Sequence, residues 1–155
     1  MCGDPEVNPA TLGMRWCLDE DSGTVIGSFF PHQRHVGYAN RLHGGILTAL
    51  FDECLAWACA LRCGAFCLTG ELTVRFRSAV TLGETIEFHG WTVDRWGGYL
   101  RAVGEASSPA AVVLASAHGT YSQISRDESL LMRGALRFAN GDVDVLRVPT
   151  SQGHL

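Results

Sequence analysis

Ile46-Leu47-Thr48-Ala49-Leu50-Phe51-Asp52-Glu53-Cys54-Leu55-Ala56-Trp57-Ala58-Cys59-Ala60-Leu61 is the stretch that decides the fold. It holds no proline, few β-branched residues and much Ala and Leu, which predicts one helix from Gly44 to about Arg62. Apolar residues run all round it rather than along one stripe, the mark of a buried helix. Before it, Thr24 to Phe30 reads as a strand and 31–43, with Pro31, Gly37 and Asn40, as a loop. After it come four strand-like runs, 68–76, 85–93, 99–105 and 111–121. The middle two flank Asp94-Arg95-Trp96-Gly97-Gly98, a hairpin signal. Strand, long helix, then a four-stranded antiparallel meander predicts an α+β domain, with an antiparallel sheet wrapped around one long central helix.

The 155 residues suffice for one domain. The predicted division is an N-terminal extension over 1–23, the sheet-and-helix domain over 24–125, and a tail over 126–155 with a short amphipathic helix from Asp127 to Ala139. Apolar residues make up 46% and charged residues 18%, enough for a packed core. All twelve basic residues are Arg, so Schiff-base and P-loop lysine chemistry are excluded. The formal charge is −4 and no basic cluster occurs, which argues against a nucleic-acid partner. No unbroken apolar run approaches the ~20 residues of a membrane span, and Met1 to Glu6 do not read as a secretory signal. A cytoplasmic protein with reduced cysteines is the expectation. Cysteines 2, 17, 54, 59, 63 and 67 contain no C-x2-C pair, and His32 and His35 make only a loose H-x2-H, so no metal or other cofactor is expected.

Two carboxylates interrupt the apolar helix. Asp52 and Glu53 have no basic residue three or four positions away to pair them. Adjacent positions differ by about 100° around a helix. Asp52 therefore shares a face with the small residues Gly45, Thr48, Ala49 and Ala56, whereas Glu53 faces Leu50 and Trp57. An acid kept on a buried helix points to chemistry, and partial solvation at the helix flank is the plain alternative. The helix begins at His43-Gly44-Gly45. Gly44 and Gly45 let a ligand approach the backbone. First-turn amides lack intrahelical partners and favour an anion or a developing oxyanion, and His43 adds a titratable ring there. Gly45 and Asp52, seven residues apart, are separated by about two turns, or ~10 Å.

The run from His35 through Gly37 and Asn40 to His43-Gly44-Gly45 and Asp52 resembles the signature of hotdog-fold acyl-CoA thioesterases of the phenylacetate-degradation (PaaI) type. That signature is an HGG, an acid nine residues after its His, and a preceding H-x-G loop. The resemblance implies a hotdog fold and hydrolysis of an acyl-CoA thioester without a cofactor. It makes Asp52 the catalytic carboxylate, as general base or nucleophile. The Gly45 amide joins an oxyanion hole, and His43 orients the thioester carbonyl. Thr69 corresponds to a hydroxyl that positions the attacking water, supplied in the family by the partner subunit because two protomers form two sites. One departure stands out: where relatives carry Asn six residues before the HGG His, this chain has Gly37, leaving His35 or Asn40 to supply the polar group.

Other readings stay open at this level. An acyl-thioester hydratase or dehydratase, or a non-catalytic acyl-CoA-binding module, fits the same pattern. No G-x-S-x-G or G-x-G-x-x-G occurs. Arg77 near Ser78, and Arg95 with Trp96 and Tyr99 on the hairpin, are the candidates for CoA phosphates and adenine. Phe51, Trp57, Phe66 and Phe76 are candidates to line an aromatic or aliphatic acyl pocket. His89 and His118 read as strand histidines with no catalytic part. The small-residue helix face needs cover, which predicts a homodimer or a tetramer built from two dimers.

Overall fold

The computed structural model describes Glu6 and residues 8–147. The outer parts of the N-terminal extension and of the tail, with Cys2, lie outside the described residues. The elements in chain order are β1 (Cys17–Asp19), β2 (Thr24–Phe29), α1 (Gly44–Cys63), β3 (Cys67–Phe76), β4 (Ile86–Trp96), β5 (Tyr99–Ser107), β6 (Val113–Gln123) and α2 (Arg126–Gly134). They form one antiparallel six-stranded sheet in the order β1-β2-β4-β5-β6-β3. The sheet curves around α1, the hotdog architecture.

The predicted four-strand meander is corrected in one place. β4, β5 and β6 are sequential neighbours, but β3 pairs with β6 at the far edge and not with β4. The helix explains this. α1 ends at Cys63 and is capped by Gly64, whose φ of 68° closes it in the left-handed region, and β3 doubles back along the helix flank. The sheet also begins earlier than predicted, because the short β1 pairs with β2. α2 stops at Gly134 rather than Ala139. It starts in a capping box between Ser125 and Glu128, and buried Ser129 ties it to the end of α1 by accepting from the Phe66 amide at 3.1 Å.

One side of α1 packs on the sheet through Leu47, Leu50, Phe51, Cys54, Leu55 and Ala58, all buried. Phe51 meets Phe88 edge-on at 5.2 Å. The approach is closest over Gly90 and Gly104, which face each other across β4 and β5. A Cβ at Gly90 would lie 2.7 Å from Cys54 Sγ, and one at Gly104 would lie 3.0 Å from Leu55 Cδ2. α1 is long and apolar enough to cross a bilayer by length and composition, yet here the sheet covers it. The opposite face, with Gly45, Thr48, Ala49, Asp52 and Ala56, is half-buried or exposed in the single chain, the small-residue face for which the sequence predicts cover. A single curved sheet reaches one side of a helix and no more.

Candidate active site

Asp52 and Glu53 are both half-buried. Asp52 lies on the flank where β3 runs back beside α1. Eleven residues from Asp52 to the end of α1 descend about 16 Å at ~1.5 Å each. The return from Gly64 to Thr69 at ~3.3 Å per residue covers nearly the same length. Thr69 therefore arrives level with Asp52, and its Oγ1 donates to Asp52 Oδ1 at 2.7 Å. This contact is within one chain, where the resemblance implied a hydroxyl from the partner subunit.

Beside Thr69 in the sheet register stands Tyr121 on β6, which sequence reasoning missed. It is fully buried, and among the described residues its hydroxyl has no hydrogen-bond partner. Burial, then the negative charge of Asp52, pushes its phenol well above the ordinary range. Gly119 makes room for the ring, since a Cβ there would lie 3.2 Å from the Tyr121 hydroxyl. A glycine two residues before an apolar-strand tyrosine was the available signal.

The helix entrance is more occupied than the motif suggested. His43 caps α1, and its Nδ1 accepts from the Gly45 amide at 2.9 Å. A neutral ring in this arrangement carries its proton on Nε2, directed away from the cap. Gly44 borders an open cleft of about 280 Å³ with Leu42, Leu47, Phe76, Arg77 and Val80. Its amide is taken by no partner among the described residues. The Gly45 amide is thus occupied by His43 in this chain, whereas that of Gly44, at the border of the cleft, is not.

The loop ahead of His43 has structural tasks in place of the expected contacts. His35 is buried, stacked on His32 at 3.9 Å and near Phe29 at 4.9 Å. Its Nδ1 accepts from the His32 amide, and its carbonyl accepts from the His43 amide at 2.9 Å. The structure thus places the His35 ring inside the loop, against His32 and Phe29 and away from the cleft lining. Burial, with the nearby His32 and Arg34, holds the His35 imidazole below its ordinary value. Asn40 is an exposed turn residue with φ 63°, and no hydrogen bond among the described residues joins its side chain to Asp52. Gly37 packs directly on His43, where a Cβ would lie 3.1 Å from His43 Cα. An Asn at 37 would press on the residue that caps the helix, which would have to give by a few tenths of an ångström.

The two candidate arginines part company. Arg77 lines the cleft beside Gly44 and donates to Ser116 Oγ at 3.3 Å. Arg95 stands at the other end of α1, where its charge acts on Cys63 and Cys67. The helix, 20 residues long, keeps it about 30 Å from the entrance. Trp96 and Tyr99 are exposed on the same distant hairpin. Of the four aromatics expected around an acyl group, only Phe76 reaches the cleft. Phe51 is core, and Trp57 packs edge-on against Phe66 at 5.8 Å. His89 lies near Glu87, and His118 lines a groove on the outer sheet face. Among the described residues no three His, Cys, Asp or Glu side chains gather to hold a metal.

Topology and site together define a hotdog-fold protein. Residues 39–99 match the model of the thioesterase superfamily, which bears out the resemblance carried by the motif run. No curated protein sequence matches the chain. Among solved structures, a thioesterase superfamily protein superposes with a TM-score of 0.68 at 22% identity, covering 77% of this chain and 61% of its own. This chain thus spans about three fifths of that relative. The Escherichia coli PaaI protein of the phenylacetic acid degradation operon gives a TM-score of 0.67 at 19% identity, covering 74% and 81%. A Streptococcus mutans UA159 protein, smu.793, solved with acetyl-CoA bound, gives 0.66 at 18%, covering 73% and 90%.

Proposed function

We propose that this protein hydrolyses an acyl-CoA thioester to the free acid and coenzyme A, with Asp52 as the catalytic carboxylate. The observation that carries the reading is the Thr69–Asp52 hydrogen bond, which fixes a half-buried acid on the helix whose N-terminus offers His43 and the Gly44 amide. The superfamily match and the acetyl-CoA held by the S. mutans relative support the substrate class. With one carboxylate oxygen held by Thr69, the other is left to take a proton from water as the water attacks the thioester carbonyl. The oxyanion forms against the Gly44 amide and His43 Nε2–H, groups that stabilise charge as it develops. Collapse breaks the C–S bond, and the departing thiolate receives the proton. Arg77 at the cleft lip is placed for a CoA phosphate.

Within one chain the helix entrance and Asp52 are ~10 Å apart along the axis, more than one carbonyl and one water span. A homodimer resolves this by presenting the entrance of one copy to the carboxylate of the other. The open edge of β3 and the small-residue face of α1 are the surfaces for it. The test is a panel of CoA esters from acetyl through medium-chain to phenylacetyl, read by release of free CoA thiol. Turnover of at least one ester above the uncatalysed rate is expected. CoA esters that bind without being cleaved would reduce the protein to a binding module.

A further inference from the structure

Five cysteines lie among the described residues, and none forms a disulfide. Cys54 and Cys59 are completely buried, and burial pushes the Cys59 thiol up to about 12. Cys17 is exposed on β1. Cys63 and Cys67 differ from these. Cys63 is the last residue of α1 and Cys67 the first of β3, so the turn through Gly64 brings the two together, with Sγ atoms 3.6 Å apart. Cys63 is half-buried, whereas Cys67 is only 9% exposed. Nothing in the proposed hydrolysis uses either thiol.

We infer that Cys63 and Cys67 form a redox-active dithiol, a modification site at which a small-molecule disulfide of the glutathione type closes an intramolecular disulfide. The order of events follows from the surroundings. The Cys67 thiol hydrogen-bonds to Cys63 and, together with the charge of Arg95, brings the Cys63 thiol below its ordinary value, while the same contact and burial raise Cys67. Cys63, the reachable and more acidic thiol, is the attacking group. Its thiolate attacks one sulfur of glutathione disulfide, forming a mixed disulfide and releasing one glutathione, which takes up a proton. The Cys67 thiol then loses its proton and attacks Cys63 Sγ, expelling the second glutathione as a thiol. Two cysteine thiols are oxidised and one disulfide is reduced to two thiols, so electrons and protons balance. The sulfurs need to approach by only about 1.5 Å to reach bonding distance. The bond would fasten the start of β3 two residues ahead of Thr69.

The sequence supplies a convenient readout. Cleavage after Arg62 and Arg75 releases residues 63–75, which contain these two cysteines and no other. The full chain is incubated with glutathione disulfide, quenched with acid and an alkylating reagent, digested and weighed. Residues 63–75 are expected two hydrogens lighter, without glutathione or alkylation, and a dithiol reductant reverses the change. Cys67→Ser is expected to retain glutathione on Cys63, and Cys63→Ser to leave Cys67 unmodified over the same period. The inference is overturned if 63–75 keeps both thiols while Cys17 takes up glutathione, if both variants react at equal rates, or if Cys63 pairs with Cys59. These readings are masses, so they do not depend on thioester hydrolysis.

Discussion

Removing the charge of Asp52 while keeping its shape separates chemistry from folding. In Asp52→Asn the side-chain oxygen still accepts from Thr69, so the 2.7 Å contact survives in neutral form. The change to stability is expected within ~0.5 kcal/mol, or a Tm shift of about 2 °C or less. Loss of the general base, by contrast, is expected to lower kcat by ~10² or more, with KM for the CoA ester within a few-fold of wild type. Thr69→Val tests the same contact from the other side. A hydrogen bond to a charged group contributes ~1.5–3 kcal/mol, and solvent access at the exposed Thr69 places this one at or below the lower bound. Roughly tenfold in kcat is expected, since ~1.4 kcal/mol is a factor of ten. If Thr69 acts only through Asp52, its substitution costs far less in an Asp52→Asn background. The assay is release of CoA thiol at saturating ester, beside thermal melts of all four proteins. Turnover of Asp52→Asn within threefold of wild type would refute the assignment, as would an equal loss in Glu53→Gln or a strictly additive pair.

Two further expectations concern the scaffold. An imidazole held below its ordinary value, as in His35, binds fewer protons folded than unfolded, so its contribution to stability is complete above ~6.5 and is lost as pH falls through the folded value. The drop in Tm between pH 7.5 and 5.5 is therefore expected to be larger in wild type than in His35→Gln, and equal slopes would contradict the role given to its buried ring. In Gly104→Ala the new methyl would lie 2.7 Å from the His89 carbonyl oxygen and 3.0 Å from Leu55 Cδ2. Overpacking of ~1–3 kcal/mol corresponds to a Tm lower by about 2–12 °C, and an unchanged melt would mean that α1 does not press on the sheet at that point.

The sequence revealed what periodicity and turn chemistry encode. The helix from Gly44 was legible because its composition left no alternative, and the β4–β5 hairpin because Gly97-Gly98 demands positive φ. The partner of β3 was not, because alternation along Leu72–Phe76 records which face is buried and not which strand lies alongside. β1 was missed because three residues, Cys17–Asp19, carry no period. At the candidate site, Asp52 and the run His43-Gly44-Gly45 were legible as residue types that conflict with a plain core helix. That Thr69 answers Asp52 inside one chain, and that His43 occupies the Gly45 amide, depended on lengths of helix and return strand that no local pattern states. Arg77 and Arg95 looked equivalent in sequence because nothing local says which end of α1 each residue reaches.

The placement of β3 at the edge beyond β6 also dictates a sequence of assembly. Thr69 pairs with Tyr121, about fifty residues downstream. A chain emerging from the ribosome makes α1 and β3 early, yet β3 has no sheet to join until nearly the last strand has appeared. Until then the inner face of β3, with Leu72 and Val74, is uncovered and its backbone is unpaired. Pairing at such sequence separation is slow because loop closure precedes any gain from contact. The acid-bearing helix is therefore an early product of synthesis, whereas the strand that orients its acid is secured only as β6 arrives.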